Sequence, residues 1–232
     1  MAAKASRTPL SRERVLAAAV ALVDANGIGA LTMRRLAADL GIEAMSLYHH
    51  LPAKEALLDG VVETVLAEID ATTAHLPTNG DWRERLRRQF LAARQAMLRH
   101  PWMPGLLSTR RAIPPRVFAY YEGILGTMID AGFSYRLAHR ALHAFGSMPL
   151  GFVQEIFSPG AADGGPEDGV SEAELAALAE RMPHLAAMTA AEMHDSADPT
   201  LGWCDSQVEF EFTLDLLLDG LERLRRTAGA QG

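Results

Sequence analysis

The feature that most constrains this chain is the placement of its helix stops. Asn26-Gly27, Gly41 and Pro52 cut the first part of the sequence into short segments. Within each segment the apolar residues recur at helical spacing, and nothing in the chain alternates convincingly with period two. Ser11 stands at an N-cap position, with Leu10 and Val15 placed as a hydrophobic staple. Val15, Ala18, Ala19, Leu22 and Val23 then form one apolar face. Gly27 follows at C′, where a left-handed backbone ends the helix. Thr32 opens a second helix with the same grammar, Leu31 pairing with Leu36, and Gly41 closes it. A short third helix is expected from about Glu43 to His49. Pro52 breaks the chain and opens a fourth over 53–72.

The remainder reads as longer helices. Gly80-Asp81 opens one that runs to about His100, and Pro101, Pro104 and Pro114-Pro115 confine the next segment to short turns. Further helices are expected from Arg116 to Ala131, stopped by Gly132, and from Tyr135 to about Phe157. The stretch SPGAADGGPEDGV (158–170) reads as a mobile loop. Ser171 and Glu174 form a capping box for a helix to about Arg181, and the last helix is expected from about Cys204 to Arg226. The fold class is all-α.

Composition narrows the function. At 49% hydrophobic and 22% charged residues, the chain matches globular proteins rather than disordered ones. No run of 18 apolar residues occurs, since Asp215 and Asp219 break the apolar tail, so no membrane span is expected. The start, MAAKASRTPLSRER, lacks the apolar core of a secretory signal, and the cytoplasm is the expected compartment. The single cysteine, Cys204, leaves no disulfide framework and no Cys-rich zinc site. The net charge of −7 is uneven. Residues 1–54 carry seven Lys and Arg against four Asp and Glu, a surplus of +3, which leaves −10 on the rest. A basic head on an acidic body presents one end to a polyanion.

Residues 30–61, ALTMRRLAADLGIEAMSLYHHLPAKEALLDGV, give that end a shape. Leu36, Ala37 and Leu40 form the buried face of helix two. The Gly41-Ile42 turn reverses the chain, and Ile42 and Leu47 pack helix three back onto the first two. Two short helices joined by a glycine turn make a helix-turn-helix. With Leu47 inward, Ala44, Met45, Ser46, Tyr48 and His49 face outward, a surface of small, aromatic and hydrogen-bonding groups suited to a major groove about 12 Å wide. Thr32 and Lys54 sit at the starts of helices two and four, where a docked phosphate meets free N–H groups.

These residues resemble the DNA-binding domain of the TetR family of bacterial transcriptional regulators. The pattern T-x-R-x-LA-x-x-LG-x-x-x-x-x-LY-x-H, then K-x-x-LL, is met by Thr32, Arg34, Leu36-Ala37, Leu40-Gly41, Leu47-Tyr48, His50, Lys54 and Leu57-Leu58. RHPWMPGLLSTR (99–110), MPHLAAM (182–188) and FEFTLDLLLDGLERL (210–224) are similar to the C-terminal domain of the tetracycline-repressor branch. The resemblance implies a helix-turn-helix domain over 10–55, helix 53–72 as a connector, and a helical effector-binding and dimerisation domain over 73–226. It also implies a homodimer, a repressor that binds a palindromic operator in double-stranded DNA and leaves it when a small molecule binds. The family's DNA contacts fall on Thr32, Arg34, Ala44, Met45, Ser46, Tyr48, His49, His50 and Lys54. Arg34 is the candidate for guanine, and Tyr48 and His50 are candidates for phosphate. Tetracycline repressors hold drug-bound magnesium through a histidine where this chain has Leu106, so magnesium–tetracycline is not the expected effector.

In the C-terminal part, Met97, Trp102, Met103, Leu106, Phe118, Tyr121, Leu125, Phe145, Met148 and Phe152 read either as ordinary core or as the lining of an apolar cavity. His143, Thr109 and Arg110 are its possible polar orienters. The effector is accordingly expected to be largely apolar. Phe210, Phe212, Leu214, Leu217, Leu218, Leu221 and Leu224 on the last helix read as a dimer face or as simple burial. His139 and His143 have the spacing of a zinc-binding helix, but Arg140 stands where a zincin carries its Glu, and no third ligand is evident. No phosphate loop, dinucleotide fingerprint or nucleophile elbow occurs, so neither cofactor nor enzyme activity is expected. The alternatives are a helical small-molecule-binding protein without operator binding and a zinc-dependent enzyme built on the histidine pair.

Overall fold

The computed structural model describes residues 10–74, 80–152, 177, 179–192 and 206–229, all helix, turn and loop. The expected loop at 158–170, the capping box at 171–174 and the residues just before 206 lie outside this set. The helices are α1 Arg12–Asn26, α2 Met33–Leu40, α3 Ala44–Tyr48, α4 Lys54–Thr73, α5 Trp82–Arg99, α6 Met103–Ser108, α7 Pro115–Asp130, α8 Tyr135–Gly151, α9 Pro183–Glu192 and α10 Ser206–Gly229. None of the described helices is long and apolar enough to cross a membrane.

The local grammar accounts for the helix ends. Ser11 Oγ accepts the Arg14 N–H at 3.2 Å, Thr32 Oγ1 that of Arg35 at 3.2 Å, and Asp81 Oδ1 that of Arg83 at 3.1 Å. Each takes one of the N–H groups a helix start leaves open. Gly41 closes α2 in the left-handed conformation, φ +65°. Its N–H reaches Ala38 O, and that of Ile42 reaches Ala37 O at 3.0 Å. These are the two bonds of a Schellman stop. The proline-rich segment departs from expectation. It is not turn alone but holds the short helix α6, because Pro104 lies in the first turn, where no N–H is needed.

The core is continuous through the expected domain boundary. Val15, Ala19 and Leu22 of α1, Leu36 of α2 and Leu47 of α3 are buried against Leu57, Val61 and Val65 of α4. The same cluster runs on to Ala93 and Met97 of α5, Met103 of α6 and Val117 of α7. α1 and α4 touch where α4 has no side chain: a Cβ on Gly60 would lie 2.6 Å from Leu16 Cδ2. A second cluster joins Leu86 and Phe90 of α5, Ile124 and Met128 of α7, Phe145 of α8, and Phe210, Leu214 and Leu218 of α10. Arg87 of α5 bonds Glu211 at 2.6 Å and Asp215 at 3.0 Å, lining α5 up with α10. These pairs are partly exposed and set alignment more than stability.

Gly41→Ala forces a Cβ into a left-handed backbone and is expected to lower stability by about 1–2 kcal/mol. Gly41→Asn is expected to cost less, since Asn tolerates that conformation. Urea denaturation midpoints of the two variants check the order.

Candidate nucleic-acid interface and effector cavity

The α2–α3 unit places its side chains by burial. Leu36, Ala37 and Leu47 are sealed inside, and Ile42 and Leu40 pack half-buried at the rim. This leaves the α3 surface open. Met45 is 72% exposed and Tyr48 43%, His49 is exposed, and Ala44, Ser46 and His50 are half-buried. Thr32, Arg34 and Lys54 are exposed on the same module. Every residue carried over as a DNA contact thus reaches solvent.

The two neighbouring arginines differ in what they are free to do. Arg35 Nη2 donates to Asn26 Oδ1 at 2.7 Å, and Asn26 in turn donates to Leu22 O at 3.1 Å. Arg35 therefore fastens α2 to α1. Arg34 and Lys54 have no hydrogen bond or ion pair among the described residues, and both cations remain available. The N-cap of α4 is Ala53, which offers its first turn no side-chain acceptor. Free N–H groups and Lys54 together make an anion-attracting corner. The Thr32 hydroxyl spends a lone pair on capping α2 but keeps its own hydrogen to donate.

A partly enclosed apolar cavity lies between α4 and α8. Leu66 and Ile69 of α4, Phe90, Ala93 and Met97 of α5, and Met103 and Leu107 of α6 line it. Val117, Tyr120 and Tyr121 of α7 and Phe145, Gly146, Pro149 and Leu150 of α8 complete it. Its volume in this state is about 50 Å³, room for ordered water but not for a ligand needing about 300 Å³.

Of the lining residues expected from sequence, Met97, Tyr121 and Phe145 are here, with Met103 of the wider apolar set. The others are elsewhere. Phe118 is 59% exposed and does not line the cavity. Leu106 is core, and Thr109 Oγ1 donates to Leu106 O at 2.7 Å, closing α6. Met148 and Phe152 line an open groove between α8 and α10. His143 points outward, its Nε2 3.3 Å from that of His139. Among the described residues no group of three His, Cys, Asp or Glu is placed to hold a metal. The sequence did not point to the other ten, which include Leu66 and Ile69 of α4, Phe90 of α5, Leu107 of α6 and Tyr120 of α7. The one signal for the α4 pair was that α4 is apolar on more than one side.

Trp102, expected in the lining, and Arg110, expected as an orienter, do not line this cavity but tie the two parts of the molecule together. Trp102 Nε1 donates to Asp24 Oδ1 of α1 at 2.7 Å. The same Asp24 oxygen lies 2.8 Å from Nδ1 of buried His100, whose Nε2 lies 3.2 Å from Glu68 of α4. Arg110, just after α6, pairs with Asp59 at 2.8 Å and with Glu55, both on α4. Its desolvation is outweighed by these two carboxylates, which hold its pKa above the ordinary value.

The last helix divides its apolar residues between two faces. Phe210, Leu214, Leu218 and Leu221 are buried within the subunit, which corrects their reading as a dimer face. Leu217 lines the α8/α10 groove. Phe212 and Leu224 stay exposed, joined by Val208 and Leu216, which the sequence reading omitted. Four-residue spacing sets Val208, Phe212 and Leu216 in one outward stripe.

The family model described as "Bacterial regulatory proteins, tetR family" matches residues 15–61, and "Tetracyclin repressor-like, C-terminal domain" matches residues 76–225. The chain belongs to the TetR family. Tetracycline repressor protein class C of Escherichia coli is 32% identical over 219 residues, 94% of this chain and 93% of that repressor. An HTH-type transcriptional regulator of Saccharopolyspora erythraea is 34% identical over 132 residues, 56% of this chain and 55% of that protein, so this chain spans about half of that relative's length. A solved structure of a possible TetR family transcriptional regulator from Streptomyces coelicolor A3(2) matches with a TM-score of 0.69 at 32% identity, over 92% of this chain and 100% of that one. This TetR-family member is a DNA-binding transcriptional regulator, with its helix-turn-helix at α2–α3.

Asp24→Ala removes the acceptor shared by Trp102 and His100. It is expected to lower stability by about 1–3 kcal/mol, the cost of leaving Nδ1 of buried His100 without its partner. Urea titration followed by tryptophan fluorescence tests this, and an unchanged midpoint would remove Asp24 from the account of the junction.

Proposed function

We propose that this TetR-family chain is a homodimeric repressor released from a palindromic operator by a largely apolar small molecule. The observation that carries the reading is α4. Leu66 and Ile69 in its second half form a wall of the cavity, while Leu57 and Val61 in its first half seat the helix-turn-helix. One rigid element therefore touches both sites.

In the DNA-bound arrangement two α3 helices enter successive major-groove faces about 34 Å apart. Arg34 reads guanine with its fork of donors, Ala44, Met45, Ser46 and His49 face base edges, and Thr32, Tyr48, His50 and Lys54 hold phosphates. The cavity of this state is too small for an effector, so a ligand must part its walls. Parting them displaces α6 and α4, and the Arg110 clamp on Glu55 and Asp59 carries that movement to the start of α4 beside the recognition helix. The two α3 helices of a dimer then no longer match the groove spacing. The coupling is reciprocal: operator weakens effector binding by the factor by which effector weakens operator binding. The exposed stripe on α10 and the α8/α10 groove of about 440 Å³ support a partner subunit seated there.

Arg34→Ala is expected to cost about 1–3 kcal/mol on operator and to relax preference at one base pair. Lys54→Ala is expected to weaken all duplexes alike and to reduce the salt slope by about one. Fluorescence anisotropy on operator and scrambled duplexes over a salt series separates them, and identical behaviour of both variants would contradict the roles assigned. Phe212→Glu with Leu216→Glu is expected to give a helical monomer that has lost operator affinity. Sedimentation velocity reads this out, and a dimer that persists would move the interface elsewhere.

A further inference from the structure

The cavity walls constrain the chemistry of the molecule that opens them. Among the described residues no charged side chain lines the cavity, so an ion entering it would lose its hydration without gaining a partner. Aromatic faces dominate the wall. Phe90 and Phe145 stack at 4.5 Å with 17° between their planes, and Tyr120 and Tyr121 meet edge-on at 5.9 Å. Met97 and Met103 adapt to flat surfaces without fixed shape.

Polarity is confined to one side. Neither the Tyr120 nor the Tyr121 hydroxyl has a hydrogen-bond partner among the described residues, and burial raises the pKa of both phenols, keeping them neutral donors. Tyr121 has its hydroxyl against α8 where there is no side chain: a Cβ on Gly146 would lie 3.2 Å from that oxygen. Three residues on, Pro149 has no N–H to give to the carbonyl of Phe145, so α8 also leaves a backbone acceptor without its usual helical donor. Both tyrosines are half-buried at the cavity wall, so a ligand seated there meets hydroxyls that no protein group already engages.

We propose that the effector is an uncharged ring compound carrying a hydroxyl or carbonyl oxygen, and that the Tyr121 hydroxyl beside Gly146 orients that oxygen. Tyr121 is then the specificity-determining residue of the site. This rests on the cavity being the effector site.

Three matched probes test it by equilibrium dialysis with the full chain at pH 7: naphthalene, 2-naphthol and 2-naphthoate. We expect 2-naphthol to bind roughly fivefold tighter than naphthalene, as one hydrogen bond allows. We expect 2-naphthoate to bind at least about tenfold more weakly than 2-naphthol, because its charge enters unpaired. Tyr121→Phe is expected to bring 2-naphthol down to the level of naphthalene and to leave naphthalene unchanged. Gly146→Val is expected to abolish binding of both neutral probes. Circular dichroism checks that it folds, and Leu107→Phe fills the same space from α6 if it does not. Binding that survives both filling variants would place the probes elsewhere and defeat the cavity reading itself. Binding that the filling variants abolish, with 2-naphthoate as tight as 2-naphthol or with the hydroxyl preference intact in Tyr121→Phe, would overturn the ligand class or the role of Tyr121 alone. No binding by any probe would overturn the ring-ligand proposal.

Discussion

Burial of α4 on two sides is the constraint on which the rest of the structure depends. A helix apolar on more than one side must be covered on each. Here α1 to α3 cover one side and α5 to α7 the other. The contact with α1 is close because Gly60 presents no side chain to Leu16. The acids of α4 add direction to this burial. Glu55 and Asp59 meet Arg110, Glu63 meets Arg12, Glu68 meets Arg99 and His100, and Asp70 meets Arg116. Each pair is modest alone in its partly exposed setting. Together they fix the rotation and height of α4 against elements from both parts of the chain.

That arrangement makes the boundary between the expected domains one of chain course rather than of packing. The cluster that buries Leu47 of the recognition helix is the one that buries Met97 and Met103 at the cavity. Contiguous side chains and α4 thus connect both methionines to the helix-turn-helix. Asp24 adds a route that bypasses α4, since it joins α1 directly to the corner between α5 and α6.

The parts legible in the sequence were those governed by neighbours in the chain. Ser11, Thr32, Asp81, Gly41 and Gly132 act within a few residues of themselves, and the helix ends they set were readable. The outward face of α3 was readable for the same reason: with Leu47 and Ile42 inward, the remaining side chains of so short a helix face out. The cavity was not readable, because core and lining share one apolar composition. The crossing of five helices decides which Met or Phe meets empty space. Arg110 looked like a ligand contact because its partners lie about fifty positions away on α4. The last helix carries apolar residues on two faces, and only packing against α5 and α8 shows that Phe210 and Leu214 turn inward while Phe212 and Leu216 do not.

The smallness of the cavity has a consequence for how sharply such a regulator responds. A site that is shut most of the time binds with an affinity reduced by the fraction of molecules that are open. Looser packing around Met97 or Met103 would let lower doses act, yet it would also populate the non-binding form when no signal is present. On the proposed reading of the cavity, sensitivity and leakiness are set by the same few side chains, and a silent promoter goes with a tight interior at the expense of a low threshold.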